Sequence, residues 1–199
     1  MAKLALNKSA LNREGKRLQT FHQFLPALDL KRKQLLAARV DARRILDAHT
    51  AALTELHGRV SHELTMLAGS DLPLESLLRV KNLRVAERNL VGVVLPVLEQ
   101  LELETAPYSR LLLPHWVDPL LAMQSRAVRL EVEIQLGKIC LQRLEQALQK
   151  TTQRLNLFDK VLIPKTEKNI RRIRIALSDA ERAGVVRAKI AKNKHRSLA

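Results

Sequence analysis

The chain has 199 residues, a formal net charge of +15 and only five aromatic side chains, Phe21, Phe24, Tyr108, Trp116 and Phe158. Leu, Ala, Arg, Lys, Glu and Gln dominate and Gly is scarce, which excludes a large rounded core and suits long helices held by a narrow apolar seam. No apolar run approaches the roughly 20 residues of a membrane span, no secretory apolar region follows Lys3 and Lys8, and Cys140 has no partner for a disulfide, so the residues predict a soluble intracellular protein.

The first predicted element runs from about Leu4 to Ala68. One heptad row reads Leu4, Leu11, Leu18, Leu25, Arg32, Arg39, Leu46, Leu53, Val60 and Leu67, and a second reads Phe21, Leu28, Leu35, Ala42, His49 and Leu56. Only four of these sixteen positions, Arg32, Arg39, Ala42 and His49, are not large and apolar, the pattern of a coiled-coil seam. At about 1.5 Å per residue such a helix is far longer than a globular domain requires, and Pro26 within it removes one backbone hydrogen bond. Gly69 and the turn residues up to Pro73 are expected to stop it.

Residues 69–117 form a predicted non-helical middle. A β-hairpin is expected over about 80–104, with Lys81 to Ala86 as the weaker strand and Leu95, Val97, Leu101 and Leu103 alternating in the stronger. Pro96 argues for an edge strand, and Glu87-Arg88-Asn89 is the expected turn; a helix over Leu74 to Leu90 is the alternative. Pro107, Pro114 and Pro119 punctuate the following loop.

The last helix is expected over 118–192, followed by a basic tail at 193–199. Its seam runs through Leu141, Leu144, Leu148, Thr151, Leu155, Phe158 and Leu162, slips by four residues at Pro164 through Thr166 to Ile170, and resumes at Ile173, Leu177 and Ala180. If the two helices are antiparallel, Leu28, Leu35, Ala42, His49 and Leu56 meet Leu162, Leu155, Leu148, Leu141 and Ile134. That register sets Pro26 opposite Pro164 and Arg32 level with Asp159, where an ion pair is expected.

Charge follows the same division. Residues 1–60 hold 12 Lys/Arg and 5 Asp/Glu, residues 61–120 hold 5 and 8, and residues 121–199 hold 18 and 7. Two basic helices flank an acidic middle, so an acidic partner is expected. Nucleic acid is disfavoured because stacking aromatics and any binding motif are missing. The six glycines form no phosphate-binding loop, and the histidines include no i, i+4 pair or neighbouring cysteine that would hold a metal. No catalytic residue, cofactor or metal is expected. His57 and His62 read as surface residues, His49 as a tolerated seam position, and Cys140 as a small buried hydrophobe.

The block from Thr151, TTQRLNLFDKVLIPKTEKNIRRI, resembles the C-terminal signature of the central-stalk D subunit of V-type and A-type rotary ATPases. The matching positions are Thr152, Arg154, Leu155, Asn156, Leu157, Asp159, Val161, Ile163, Pro164, Asn169 and Ile170. Leu28-Asp29-Leu30-Lys31-Arg32-Lys33-Gln34-Leu35 is similar to the N-terminal helix of that family, and Leu90 to Pro96 to a strand of its central hairpin; Phe158 and Gln34 depart from its pattern.

The resemblance implies a mainly α fold, in which the N- and C-terminal segments form a long antiparallel two-helix coiled coil and the middle forms a small foot containing the hairpin. Its seam would include Leu18, Phe21, Leu25, Leu28, Leu35, Leu148, Leu155, Phe158, Leu162, Ile170 and Ile173, with Lys31, Arg32, Lys33, Arg154, Asn156, Ile163, Pro164 and Asn169 as family-motif positions. It further implies a rotor shaft without catalytic residues, coupling ATP hydrolysis or synthesis to proton or sodium ion transport. The implied partners are a ring of catalytic and non-catalytic nucleotide-binding subunits, the small central-stalk F subunit and a socket subunit above the membrane rotor ring. The implied location is cytoplasmic and peripheral to the membrane. A prefoldin-like chaperone subunit and a basic coiled-coil nucleic-acid scaffold share the layout but lack the matched blocks.

Overall fold

A computed structural model of the chain describes residues 5–63, 65, 77–108 and 114–198, the last four through their backbone alone. The element order is α1 (Lys8–Glu63), β1 (Leu78–Leu90), β2 (Val93–Thr105), α2 (Val117–Leu157), a π turn (Phe158–Leu162) and α3 (Ile163–Leu198). The fold is mainly α, with two long helical stretches at the chain ends and a small antiparallel hairpin between them. Leu4, Leu67 and the expected stop around Gly69 lie outside the described residues. The last helix runs on through Leu198, so the described part of the expected tail is helical.

α1 begins at Lys8 because Asn7 caps it: the Ala10 amide donates to Asn7 Oδ1 at 2.7 Å, satisfying one of the first-turn amides that lack a helical acceptor. The helix is unbroken through Pro26. Pro164 is accommodated differently. A proline offers no amide to the carbonyl four residues before it, and its ring clashes with that carbonyl. The chain widens into the π turn just ahead, where the Ile163 amide donates to Phe158 O. Thr166 Oγ1 then donates to Leu162 O at 2.7 Å.

The residues divide into two compact units, 1–32 with 150–199 and 33–149. In the first, Glu14 meets Asn169 and the Phe21 ring meets the Phe158 ring edge-on at 5.4 Å, so the two helical segments run antiparallel. In the second, α1 and α2 are also antiparallel: Leu46 lies against Gly137 and His49 Nε2 is 3.6 Å from Glu133 Oε2. These pairs overturn the expected register. That register places His49 against Leu141 and Glu14 level with Ala176; both pairings are displaced by about one heptad. The shift brings Pro26 level with the region of Leu157 instead of Pro164. Nor does Arg32 pair with Asp159: its Nη2 lies 2.9 Å from Oδ1 of Asp29, one turn away on the same helix.

β1 and β2 pair from Leu78 with Thr105 to Leu90 with Val93. The turn is therefore Val91-Gly92, not Glu87-Arg88-Asn89, and Leu78–Leu90 does not adopt the alternative helix. Val91 has φ 52° and Gly92 φ 79°, positive at both central positions, as the twist of a tight two-residue hairpin demands. Asn89 Oδ1 accepts the Gly92 amide at 2.9 Å. Lys81 on β1 and Glu99 on β2 are the extra residues at two register shifts, one bulge on each strand, so the register at the turn is restored.

Candidate functional site: paired helices and a docked hairpin

In the unit of residues 33–149 the hairpin is seated on the helix pair at its tip. Leu95 enters a cluster with Leu35 and Leu144, which are 0% and 1% exposed, and Ala38, Ala42, Val91, Cys140 and Leu148 pack around it. Two donors from α2 reach strand carbonyls beside Leu95: Arg143 Nη1 to Val94 O at 2.8 Å and Cys140 Sγ to Pro96 O at 3.1 Å. Burial pushes the Cys140 thiol above its ordinary pKa, with the Arg143 charge pulling the other way. The thiol therefore stays protonated and serves as packing and donor rather than as a nucleophile. Beside this seat a cleft of about 490 Å³ opens between α1, α2 and the hairpin, widened by the small residues Ala38, Ala42 and Gly137.

The other end of the hairpin meets a second cluster, Trp116, Val117, Leu120 and Leu121, with Val60, Leu77, Leu78, Tyr108 and Met123 against it. The Tyr108 hydroxyl donates to the Asp118 carboxylate at the start of α2. The apolar residues around 114–121 carry no clear period, and the sequence pointed to none of them as core.

The expected seam residues divide by depth. Leu35 and Ile173 are fully buried, Ile170 is buried, and Leu18, Phe21, Leu25, Leu28, Leu148, Leu155, Phe158 and Leu162 are half-buried. Thr151 and Thr166 are buried seam positions, whereas Ala180 is exposed. Of the motif positions, Ile163 is buried, Lys31, Arg32, Pro164 and Asn169 are half-buried, and Lys33, Arg154 and Asn156 are exposed.

Sequence reasoning missed Glu14. It stands one heptad before Phe21, so it falls on the seam row, and it is 4% exposed. Its Oε1 takes Arg17 Nη1 at 2.8 Å and its Oε2 faces Asn169 Nδ2 at 3.4 Å. A carboxylate taken out of water needs such donors. Asn169→Ala should therefore cost about 1–2 kcal/mol, measured by urea denaturation, while Asn156→Ala on the exposed surface should stay within about 0.5 kcal/mol. Equal costs would show that Asn169 does not support the buried acid.

Charge separates cleanly between the two units. Residues 1–32 and 150–199 contain 21 Lys/Arg against 6 Asp/Glu, the whole net charge of +15, while residues 33–149 contain 14 of each. Among the described residues no group of His, Cys, Asp and Glu side chains would hold a metal ion, and no helix is long and apolar enough to cross a membrane.

Paired antiparallel helices and a docked hairpin define a mainly helical protein of two units, with its net positive charge in the unit of the chain ends. The family model for the ATP synthase D subunit matches residues 10–193, and the chain belongs to that family. It is 32% identical over 193 residues to the V-type ATP synthase D subunit of Borreliella burgdorferi, covering 97% of this chain and 95% of that protein. It is 31% identical over 196 residues to the V-type ATP synthase D subunit of Chlamydia muridarum, covering 97% and 96%. Rotary ATPase membership, as one component of a larger complex, follows from these matches.

Proposed function

We propose that this chain is the central rotor shaft of a V/A-type rotary ATPase, coupling ATP hydrolysis or synthesis in a ring of nucleotide-binding subunits to proton or sodium ion transport. The observation that supports it best is the charge division: the unit carrying the chain ends holds all of the net +15, and the unit carrying the hairpin is neutral. A shaft turning in a protein sleeve must break its contacts at every step. Long-range attraction between a basic helix pair and an acidic lining suits that better than tight local packing.

In this reading the ring surrounds the basic unit, and the neutral unit serves as the foot, taking the small central-stalk F subunit and the socket subunit. The chain works outside the membrane, on the cytoplasmic side, and contributes no catalytic residue. Its asymmetry makes the ring interfaces bind nucleotide differently, and rotation carries that difference around.

The test is reconstitution of ring, shaft and small stalk partner. Replacing residues 80–105 by a short Gly-Ser linker should spare ring binding and weaken retention of the foot partners by about tenfold or more, equivalent to roughly 1.4 kcal/mol. Arg171→Gln, Arg172→Gln or Arg174→Gln alone should change coupled ATP turnover by less than about twofold, since an exposed charge contributes little singly. Loss of ring binding in the linker variant, with the foot partners retained, would reverse the assignment of the two units.

A further inference from the structure

The two outer edges of the hairpin are not equivalent. Near the turn, β2 has its outer edge covered: Val94 O and Pro96 O accept from Arg143 and Cys140 of α2. β1 has no such cover, because among the described residues its backbone bonds only to β2. It is 13 residues long, about 40 Å at the usual rise, and an unpaired edge of that length is a template for another strand.

Side chains restrict what that strand can be. β1 carries Arg79, Lys81, Arg84 and Arg88 against the single acid Glu87, whereas its present partner β2 carries Glu99, Glu102 and Glu104 and no Lys or Arg. Lys81 reaches Glu104 at 3.8 Å, but Arg79, Arg84 and Arg88 have no carboxylate partner among the described residues. Val80, Leu83 and Val85 are 54%, 46% and 42% exposed between these cations. A second copy is a poor occupant: its β1 is repelled by like charge, and near the turn its β2 edge is taken by its own α2.

We propose that the free edge of β1 is a docking site for an extended acidic segment of a different protein, which adds to the hairpin as a third strand. Backbone hydrogen bonds give the affinity, Arg84 and Arg88 select acidic residues, and the exposed Val85 and Leu83 receive alternate apolar side chains. The inference does not depend on the shaft reading, since it concerns only what the hairpin binds.

The experiment uses the full chain and a blocked eight-residue peptide of alternating Glu and Val, with hydrogen exchange followed by mass spectrometry. The Glu-Val peptide at saturation should slow exchange of the segment 82–90 by about tenfold or more and leave 93–105 little changed, as expected when new backbone hydrogen bonds form on one strand only. The Arg84→Glu/Arg88→Glu variant should bind it at least about tenfold more weakly; unchanged protection over 93–105 without peptide verifies that its hairpin is intact, and a variant that fails this check is replaced by Arg84→Gln/Arg88→Gln. A Lys-Val peptide and a Glu-Val peptide N-methylated at alternate residues should each fail to protect 82–90. Equal protection by either control, or no protection of 82–90 by the Glu-Val peptide at millimolar concentration, would overturn the proposal.

Discussion

Leu35→Ala is expected to destabilise the protein by about 2–5 kcal/mol, the range for truncating a leucine in a closed core, and to lower the thermal midpoint by about 5–15 °C in a chain of this size. Leu35 has no exposed surface and shares its cluster with Leu144 and Leu95. The cavity would therefore open in the seat of the hairpin as well as in the helix seam. The two consequences separate experimentally. Thermal denaturation followed by helical circular dichroism reads the loss of the seam, and amide exchange across 78–105 reads the loosened hairpin. Leu36, one residue on, is 44% exposed, so Leu36→Ala should stay within about 0.5 kcal/mol. Similar losses from the two substitutions would mean that the cluster does not carry the stability assigned to it.

The heptad rows made the long helices legible, because apolar residues repeating every seven positions over many turns line up only on a helix. Register was a different matter. Sliding one helix by seven residues returns apolar positions to apolar partners, so the rows cannot distinguish adjacent registers. Small and polar residues decide instead. Gly137 admits Leu46, where an added Cβ would stand 3.3 Å from Leu46 Cδ1, and Glu14 finds Asn169 where the expected register offered it Ala176. Arg17 meets Glu14 from the same helix in either register, so what the observed register adds is a donor for the second oxygen of a carboxylate taken out of water.

The hairpin turn was obscured for a related reason. Val91 is β-branched and unfavourable at positive φ, so local preference pointed elsewhere, to Glu87-Arg88-Asn89. Val91 accepts that conformation while packing against the cluster of Leu35, Leu95 and Leu144, a tertiary contact invisible in the local sequence. The π turn was legible only in part: Pro164 announced an irregularity, but a proline inside a helix can kink it, break it or widen it, and the residue type alone does not say which.

Ending the chain after Leu177 is expected to leave folding nearly intact and to impair assembly strongly. In the observed register the start of α1 at Lys8 lies level with Ile175, so α3 beyond Leu177 has little of α1 beside it. Leu177 is half-buried and no described residue from Ser178 onward is buried. Removing that stretch should therefore move the thermal midpoint by less than about 2 °C, as for other changes confined to exposed surface. The same stretch presents Val185, Val186 and Ile190, 70%, 56% and 61% exposed, among six Lys/Arg and two Asp/Glu over residues 178–199. If the nucleotide-binding ring covers those three side chains at about 1–1.5 kcal/mol each, the truncated chain should bind the ring about 10²–10³-fold more weakly, and coupled ATP turnover at limiting shaft concentration should fall in proportion. The measurement is a titration of ring with full-length and truncated chain, reading both assembly and turnover, beside a denaturation curve for each. A truncated chain that folds normally and still supports full assembly and turnover would remove the exposed end of α3 from the shaft's working surface and leave the charge division alone in support of placing the ring around the basic unit.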